Sequence, residues 1–353
     1  MANGIVNFAG AFAPKVAESF HKESVTDSAR GTGFSFSGVR SVKVMSVDTV
    51  PLNDYQRSGT NRYGTPPELG DTVQELVMGD DKAFTFTIDK GNQADQLNLK
   101  GATKAMRRQI EQVVVPYVDK YRLKQWALNA GHAQAMAAAP TKDTIVADIF
   151  EAGCQMDNDL VPAAGRTLFI PNTYYKMLLL SDDFLGVDKL GEKHLSKGEM
   201  GEVDGMAVKR VPDSYFPVGV YFLIKHRDAT VDPMKLNEAN IHQDPPGISG
   251  NLLEGRFYHD AFVLAAKANG VYAAVQAGLV SAAPTITAAE GKVTLASTTT
   301  GAVVRYTTDG TDPRYSGTAK VYAGVLDVPT GVKVRAVARK DGEYASGVSE
   351  KQF

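Results

Sequence analysis

Residues 51–70 read PLNDYQRSGTNRYGTPPELG, a stretch dense in Pro, Gly, Asn and Arg that follows neither helical nor strand periodicity. Irregular segments of this length are uncommon inside compact domains and are ordinarily interaction elements. A β-type run at 42–50 precedes it. After it, 71–78 and 82–88 read as two strands joined at Gly79-Asp80-Asp81, with Phe84, Phe86 and Ile88 alternating against Thr85 and Thr87. An isolated hairpin is marginal in water, so this one requires another surface. Upstream, residues 1–41 mix Gly, Ser, Lys and Glu with scattered Phe, which predicts an extended arm with at most one short helix over 14–21. Arm, loop and hairpin each lack the residues for a core of their own.

The remainder is richer in folding signals. Over 92–130, Ala102, Met106, Ile110, Val113, Tyr117 and Tyr121 recur at steps of three and four, opposite Lys100, Lys104, Arg107, Arg108 and Glu111. Pro116 falls inside this pattern and predicts a kink or break; Gly131 closes the helix. A second helix is expected over 142–160, with Ile145, Ile149, Ala152, Met156 and Leu160 on one face. Strands follow at 166–170, 206–211, 218–226, 257–266 and 271–275, with a helix at 173–180 and a Gly/Lys/Glu-rich loop at 186–201. Intermixed elements of this kind specify an α+β architecture rather than a doubly wound sheet. The small, uncharged stretch at 273–284 reads as a connection, and 285–350 holds only short β-type runs between Gly, Asp and Pro turns, the pattern of a β-sandwich.

Composition narrows function by exclusion. A chain of 353 residues suits a principal domain plus a smaller one, and no apolar run is long enough to span a membrane. The formal net charge of -2 gives no overall footprint for nucleic acid. The single cysteine, Cys154, excludes an internal disulfide and reads as a small buried hydrophobe in a protein made in a reducing cytoplasm. The start lacks the basic and apolar regions of a secretory signal.

The segment from SVKVMSVDTV through the loop to KAFTFTIDKGNQADQ, followed by a long helix, resembles the extended loop and spine helix of tailed-phage major capsid proteins of the Hong Kong 97 fold. GISGNLLEGRFYHDAFVLAAKANGVYAAV is similar to the closing strands of that fold. The resemblance implies an arm (1–41), an extended β-hairpin loop with its flanking strand (42–91), a spine helix of the peripheral domain (92–132), an axial domain (133–239) and return strands (240–278). It further implies an icosahedral shell subunit of the virion, assembled in the host bacterial cytoplasm as pentamers and hexamers, with a separate scaffolding protein and a portal as partners. Some relatives crosslink a loop lysine to an asparagine of the next subunit, for which Lys82 or Lys90 with Asn251 would be the positions here, but the preferred reading of these lysines is as solvated edge gatekeepers. After a linker at 279–284, residues 285–353 resemble the immunoglobulin-like domain at the C-terminus of chitobiase-type glycosidases, on the motif Tyr306-Thr307-Thr308-Asp309-Gly310-Thr311-Asp312-Pro313. Asp309-Gly310 and Asp312-Pro313 supply turns, so the motif reads as structural. With nine Lys/Arg and seven Asp/Glu in 282–353, the domain is no basic appendage.

No catalytic or cofactor set emerges. There is no phosphate-binding Gly-rich loop, nucleophile elbow or helical His pair, and Ser19-Phe20-His21-Lys22 matches an acyl-enzyme spacing without companion motifs. The six histidines lack ligand spacing, and neither Asp157-Asn158-Asp159 nor Asp309 to Asp312 follows a calcium loop. No enzyme, metal or cofactor is therefore expected. Candidate inter-subunit contacts are Arg57, Arg62, Tyr63, Phe84 and Phe86, because Arg and aromatic residues anchor interfaces. Lys104, Arg107 and Arg108, assisted by Arg40 and Lys43, are candidates for weak non-specific contact with packaged double-stranded DNA; a solvated or ion-paired helix face is the competing reading. Tyr306, Tyr315, Tyr322 and Tyr344 offer a sugar-binding face for host or mucus glycans. The alternatives are an encapsulin-like compartment or a carbohydrate-binding surface protein, although the lone Trp126 lies in the helix rather than the sandwich. The sandwich is expected to be an outward, dispensable appendage.

Overall fold

The computed structural model describes residues 23–31, 33–34, 36, 40–47, 49–50, 52–66, 68–91, 101–181, 201–289 and 292–353. The expected short helix at 14–21, the loop at 186–201 and the first turns of the long helix lie wholly or mostly outside these. Strands β1 (Ser41–Val47) and β2 (Asp71–Val77) form an antiparallel ribbon, registered from Ser41 opposite Val77 to Val47 opposite Asp71. The long irregular segment is the tip of this ribbon. Strand β3 (Asp80–Asp89) begins three residues after β2 yet pairs elsewhere, which corrects the expected hairpin at 79–81. Met78 is fully buried and Gly79 donates its N–H to Asp260, so the chain crosses between two sheets here instead of turning back.

The long helix is two helices with an irregular joint: α1 (Ala102–Gln109), a π-helical turn (Ile110–Val114) and α2 (Val115–Leu128). Pro116 has no N–H and its ring would clash with the carbonyl four residues back. The widened turn just upstream, closed by the Val115 N–H on the Ile110 carbonyl, accommodates it. It also shifts the apolar stripe. Met106 is buried as expected, but Val113 and Tyr117 are exposed, and the buried residues of α2 are Val118, Asp119, Arg122, Leu123, Trp126 and Ala127.

Beyond α2 come β4 (His132–Met136), α3 (Ile145–Asn158), β5 (Arg166–Pro171), α4 (Asn172–Leu179), β6 (Glu202–Val203), β7 (Met206–Val211) and β8 (Val220–His226). Then follow β9 (Thr230–Val231), β10 (Met234–Gln243), β11 (Gly250–His259), β12 (Phe262–Val263) and β13 (Val271–Gln276). Six of these make a mixed sheet in the order β4-β13-β8-β5-β7-β6. Every residue of β5 and β8 is buried, as a central strand with both faces covered requires. Leu168, Ile170, Phe222 and Ile224 pack under α3 and α4 on one face. Phe169 and Leu223 meet Leu123, Trp126 and Ala127 of α2 on the other. A second sheet, β10-β11-β3, carries α1 on Ile88 and Leu253. Cys154 is exposed on the outer face of α3, which corrects its expected burial.

The C-terminal residues form two small sheets. One contains β14 (Thr285–Ala289), β15 (Lys292–Ala296) and β18 (Leu326–Asp327); the other contains β16 (Val303–Thr307), β17 (Lys320–Val321), β19 (Lys333–Arg339) and β20 (Ser349–Gln352). Val293, Leu295, Val304, Val334, Ala336 and Ala338 fill the space between them. The Asp309 carboxylate accepts from Thr311 N, Thr311 Oγ1 and Thr318 Oγ1, and Gly310 takes the left-handed backbone that the turn needs.

Candidate inter-subunit surface and its root

The β1–β2 ribbon has two strands, two open edges and little burial. Nine of the twenty large apolar side chains that are exposed among the described residues lie on it or its tip: Met45, Val47, Val50, Leu52, Tyr55, Tyr63, Leu69, Val73 and Val77. Contiguous apolar exposure of this kind marks an interaction site. Within the tip, Gln56 N donates to Arg62 O at 2.9 Å and Gly64 N to Asn61 O at 2.8 Å, with Asn61, Gly59 and Gly64 at positive φ. Tyr55 and Tyr63 meet edge to face at 5.1 Å, and Tyr63 is 83% exposed. The loop is thus shaped by its own backbone while its aromatic and arginine side chains stay outward.

The root of the ribbon is, by contrast, densely bonded. Leu76 and Met78 pack with Phe36, Val231 and Leu264. Tyr258 Oη and Arg40 Nε donate to Met78 O at 3.3 and 3.5 Å. Asp260 accepts from Gly79 N and Tyr121 Oη, each at 2.8 Å, and Tyr117 Oη donates to the Asp80 carboxylate at 3.0 Å. Buried His259 sits between these groups, its ring flanked edge-on by both tyrosines. Burial pushes the His259 imidazole below its usual range, partly opposed by Asp80. Burial, reinforced by its bond to Asp80, pushes the Tyr117 hydroxyl up to about 12.

A second buried network fixes where the chain enters the fold. Asp119 of α2 accepts from Ser24 Oγ at 2.8 Å, Val25 N at 3.0 Å and Thr26 Oγ1 at 2.6 Å, while Arg122 donates to Thr26 and Asp27. Lys225 donates to Ala29 O, lies 3.7 Å from Asp232 and stacks over Trp126. Burial pushes its amine down to about 8 despite Asp232. Residues 24–31, the end of the expected arm, are therefore tied to the core. Sequence reasoning missed them because isolated Asp119, Arg122 and Lys225 read as surface charges.

The candidate residues do not converge on one place. Arg57, Arg62 and Tyr63 lie together on the exposed tip. Phe84 and Phe86 pack inside their own chain against α1, and Phe84 stacks on Phe257 at 5.9 Å over Gly255. Lys104, Arg107 and Arg108 share α1, where Arg107 Nε donates to Glu111 at 2.7 Å. Lys90 is ion-paired with Asp244. The four tyrosines of the C-terminal domain form no common face: Tyr306 and Tyr322 pack on the sandwich core, while Tyr315 and Tyr344 pack on the principal core. His21 and His194 lie outside the described residues, among which no three His, Cys, Asp or Glu side chains gather as a metal site.

Residues 282–350 match the family of the chitobiase/beta-hexosaminidase C-terminal domain. No curated protein matches the chain. Among solved structures it resembles one from Mycobacterium phage Che8, at 17% identity over 76% of this chain and 98% of that one, with a TM-score of 0.59. The capsid of cyanophage P-SCSP1u matches at 17% identity over 76% and 93%, with a TM-score of 0.60. The mature capsid of bacteriophage PhiM1 matches at 12% identity over 77% and 92%, also at 0.60. At these identities the likeness is one of fold: the chain has the α+β fold of these phage capsid chains, followed by an immunoglobulin-like β-sandwich.

Proposed function

We propose that the chain is the major capsid protein of a tailed bacteriophage, a structural subunit that closes with its copies into the icosahedral head enclosing the phage DNA. The observation that carries this is the β1–β2 ribbon, an edge-exposed element with a densely bonded root whose outward apolar side chains find no cover among the described residues. Symmetric assembly supplies that cover, each weak contact being repeated around the shell. The match to more than nine-tenths of three phage chains, two of them from capsids, supports the same reading and favours a phage head over an enzyme-loaded compartment.

In this reading Arg57, Arg62 and Tyr63 anchor the ribbon tip on the adjacent subunit, whereas Phe84 and Phe86 hold β3 to α1 within the chain. Lys104, Arg107 and Arg108 make weak, salt-sensitive contact with packaged DNA, reduced by the Arg107–Glu111 pair. Assembly takes place in the host cytoplasm with a separate scaffold and a portal, and the role is structural rather than enzymatic. Electron microscopy of the purified protein, with and without co-expressed scaffold, tests the proposal. Closed shells are expected; failure to form them under any condition rejects it.

A further inference from the structure

Helix α2 ends at Leu128, where Asn129 N bonds Gln125 O and Ala130 N bonds Ala127 O, and the next three carbonyls, of Asn129, Ala130 and Gly131, lie beyond the helical ladder. Donors to these three come from the far end of the sequence. Tyr315 Oη donates to Asn129 O at 2.7 Å, and Arg314 Nη1 donates to Gly131 O at 2.5 Å and Ala130 O at 3.4 Å. A cation at a helix C-terminus is favoured by the helix dipole, and such charge-assisted bonds are the stronger kind. Arg314 is itself held by Asp312 through Nε and Nη2, with its side chain only 13% exposed. The turn that contains Asp309, Asp312 and Pro313 aims both residues: Arg314 N bonds Asp312 Oδ1 at 2.9 Å and Tyr315 N bonds Asp312 O at 3.2 Å.

A second attachment lies across the connection between the domains. Tyr344 Oη donates to Val218 O at 3.0 Å and Tyr344 N to Leu279 O at 2.8 Å, while Ser281 N donates to Tyr344 O at 3.1 Å. Val280 and Tyr344 form a parallel bridge. Tyr344 is buried in the same cluster as Trp126 and Val271. A swinging linker would leave its backbone to water, whereas residues 279–281 are bonded to the domain they lead into.

We infer that the C-terminal domain is a clamp acting in cis on the end of α2 and on the start of β8, so that its folding and the integrity of that helix end form one cooperative unit. The motif it shares with chitobiase-type domains serves here to present Arg314 and Tyr315 to the helix. The inference concerns the folded chain and stands whether or not that chain builds shells. Hydrogen exchange read by mass spectrometry on the full chain tests it with two variants. Val334→Asp destroys the sandwich core, which contains no residue of the principal domain. It is expected to speed exchange at residues 125–131 and 218–220 by about tenfold or more, the equivalent of about 1.4 kcal/mol. Arg314→Ala leaves the sandwich core intact and is expected to speed exchange at 125–131 alone. Loss of protection confined to 285–353 in the first variant, or unchanged exchange at 125–131 in the second, overturns the clamp. If Val334→Asp does not accumulate, Arg314→Ala decides by itself.

Discussion

His259 Nε2 lies 3.0 Å from Asp80 Oδ2, and this pair joins the strand that leaves the ribbon root to the central strand of the second sheet. Tyr117 and Tyr121 approach from α2, Asp260 from the adjoining turn, and Lys82 from β3. Proton uptake by this imidazole therefore acts where the ribbon, the helix and the sheet meet.

Acid should weaken the fold through His259. Its folded value lies below the ordinary 6.5 because burial disfavours the charged form, so the unfolded chain binds the proton first. Stability contributed by the neutral ring is complete above pH 6.5 and declines as pH falls below it. Urea titrations between pH 5 and 7.5 should show this decline in the native chain and a flatter profile in His259→Gln. Identical pH profiles would remove the imidazole from the account.

Lys225 predicts the behaviour on the alkaline side. Its amine is pushed down to about 8 from 10.5, so between these values the unfolded state carries the proton and the folded state does not. Stability should therefore rise from pH 8 toward 10, approaching a full contribution of about 3 kcal/mol for a shift of this size. The raised tyrosines oppose this only above pH 10. Subtracting the denaturation curve of Lys225→Met isolates the effect, and a difference that stays constant from pH 8 to 10 would refute it.

Gly255 is required by Phe84. A Cβ at 255 would stand 2.4 Å from the ring of Phe84, so Gly255→Ala should cost about 1–3 kcal/mol through forced repacking. Adding Phe84→Leu should recover part of that loss, giving a coupling of about 0.5–3 kcal/mol in a double-mutant cycle. Additive effects would mean that the close approach is relieved some other way.

Tyr63 separates assembly from stability. Tyr63→Ala and Arg62→Ala on the exposed tip should change unfolding free energy by no more than about 0.5 kcal/mol. Shell yield, measured by sedimentation, should nevertheless drop markedly. Normal yield in both would move the interface elsewhere on the ribbon.

The fold was legible wherever burial wrote itself into local pattern. The run VYFLIKH of β8 and the stripe Ile145, Ile149, Ala152 and Met156 of α3 announced their elements, and the turn residues at 309–313 announced theirs. Pairing was not legible. The alternation in β3 correctly reported one face against the core but carried no information that its partner was β11, some 170 residues later. Buried charge was also hidden: Asp119, Arg122 and Lys225 each look like surface residues until Thr26, Asp27 and Asp232 are brought beside them. The same holds for Arg314, whose acceptors in the principal domain are backbone carbonyls that no side-chain pattern can reveal.

The π-helical turn at Ile110–Val114 has a geometric consequence. One extra residue in a helix rotates everything downstream by about 100°. The two halves of the long helix therefore work as a crankshaft, with Met106 set at one angle for the three-stranded sheet and Leu123 and Trp126 at another for the six-stranded one. A straight helix could serve one of these cores well or both badly. The offset lets a single rod face both the sheet beside the ribbon and the sheet beneath α3, each with its own apolar stripe.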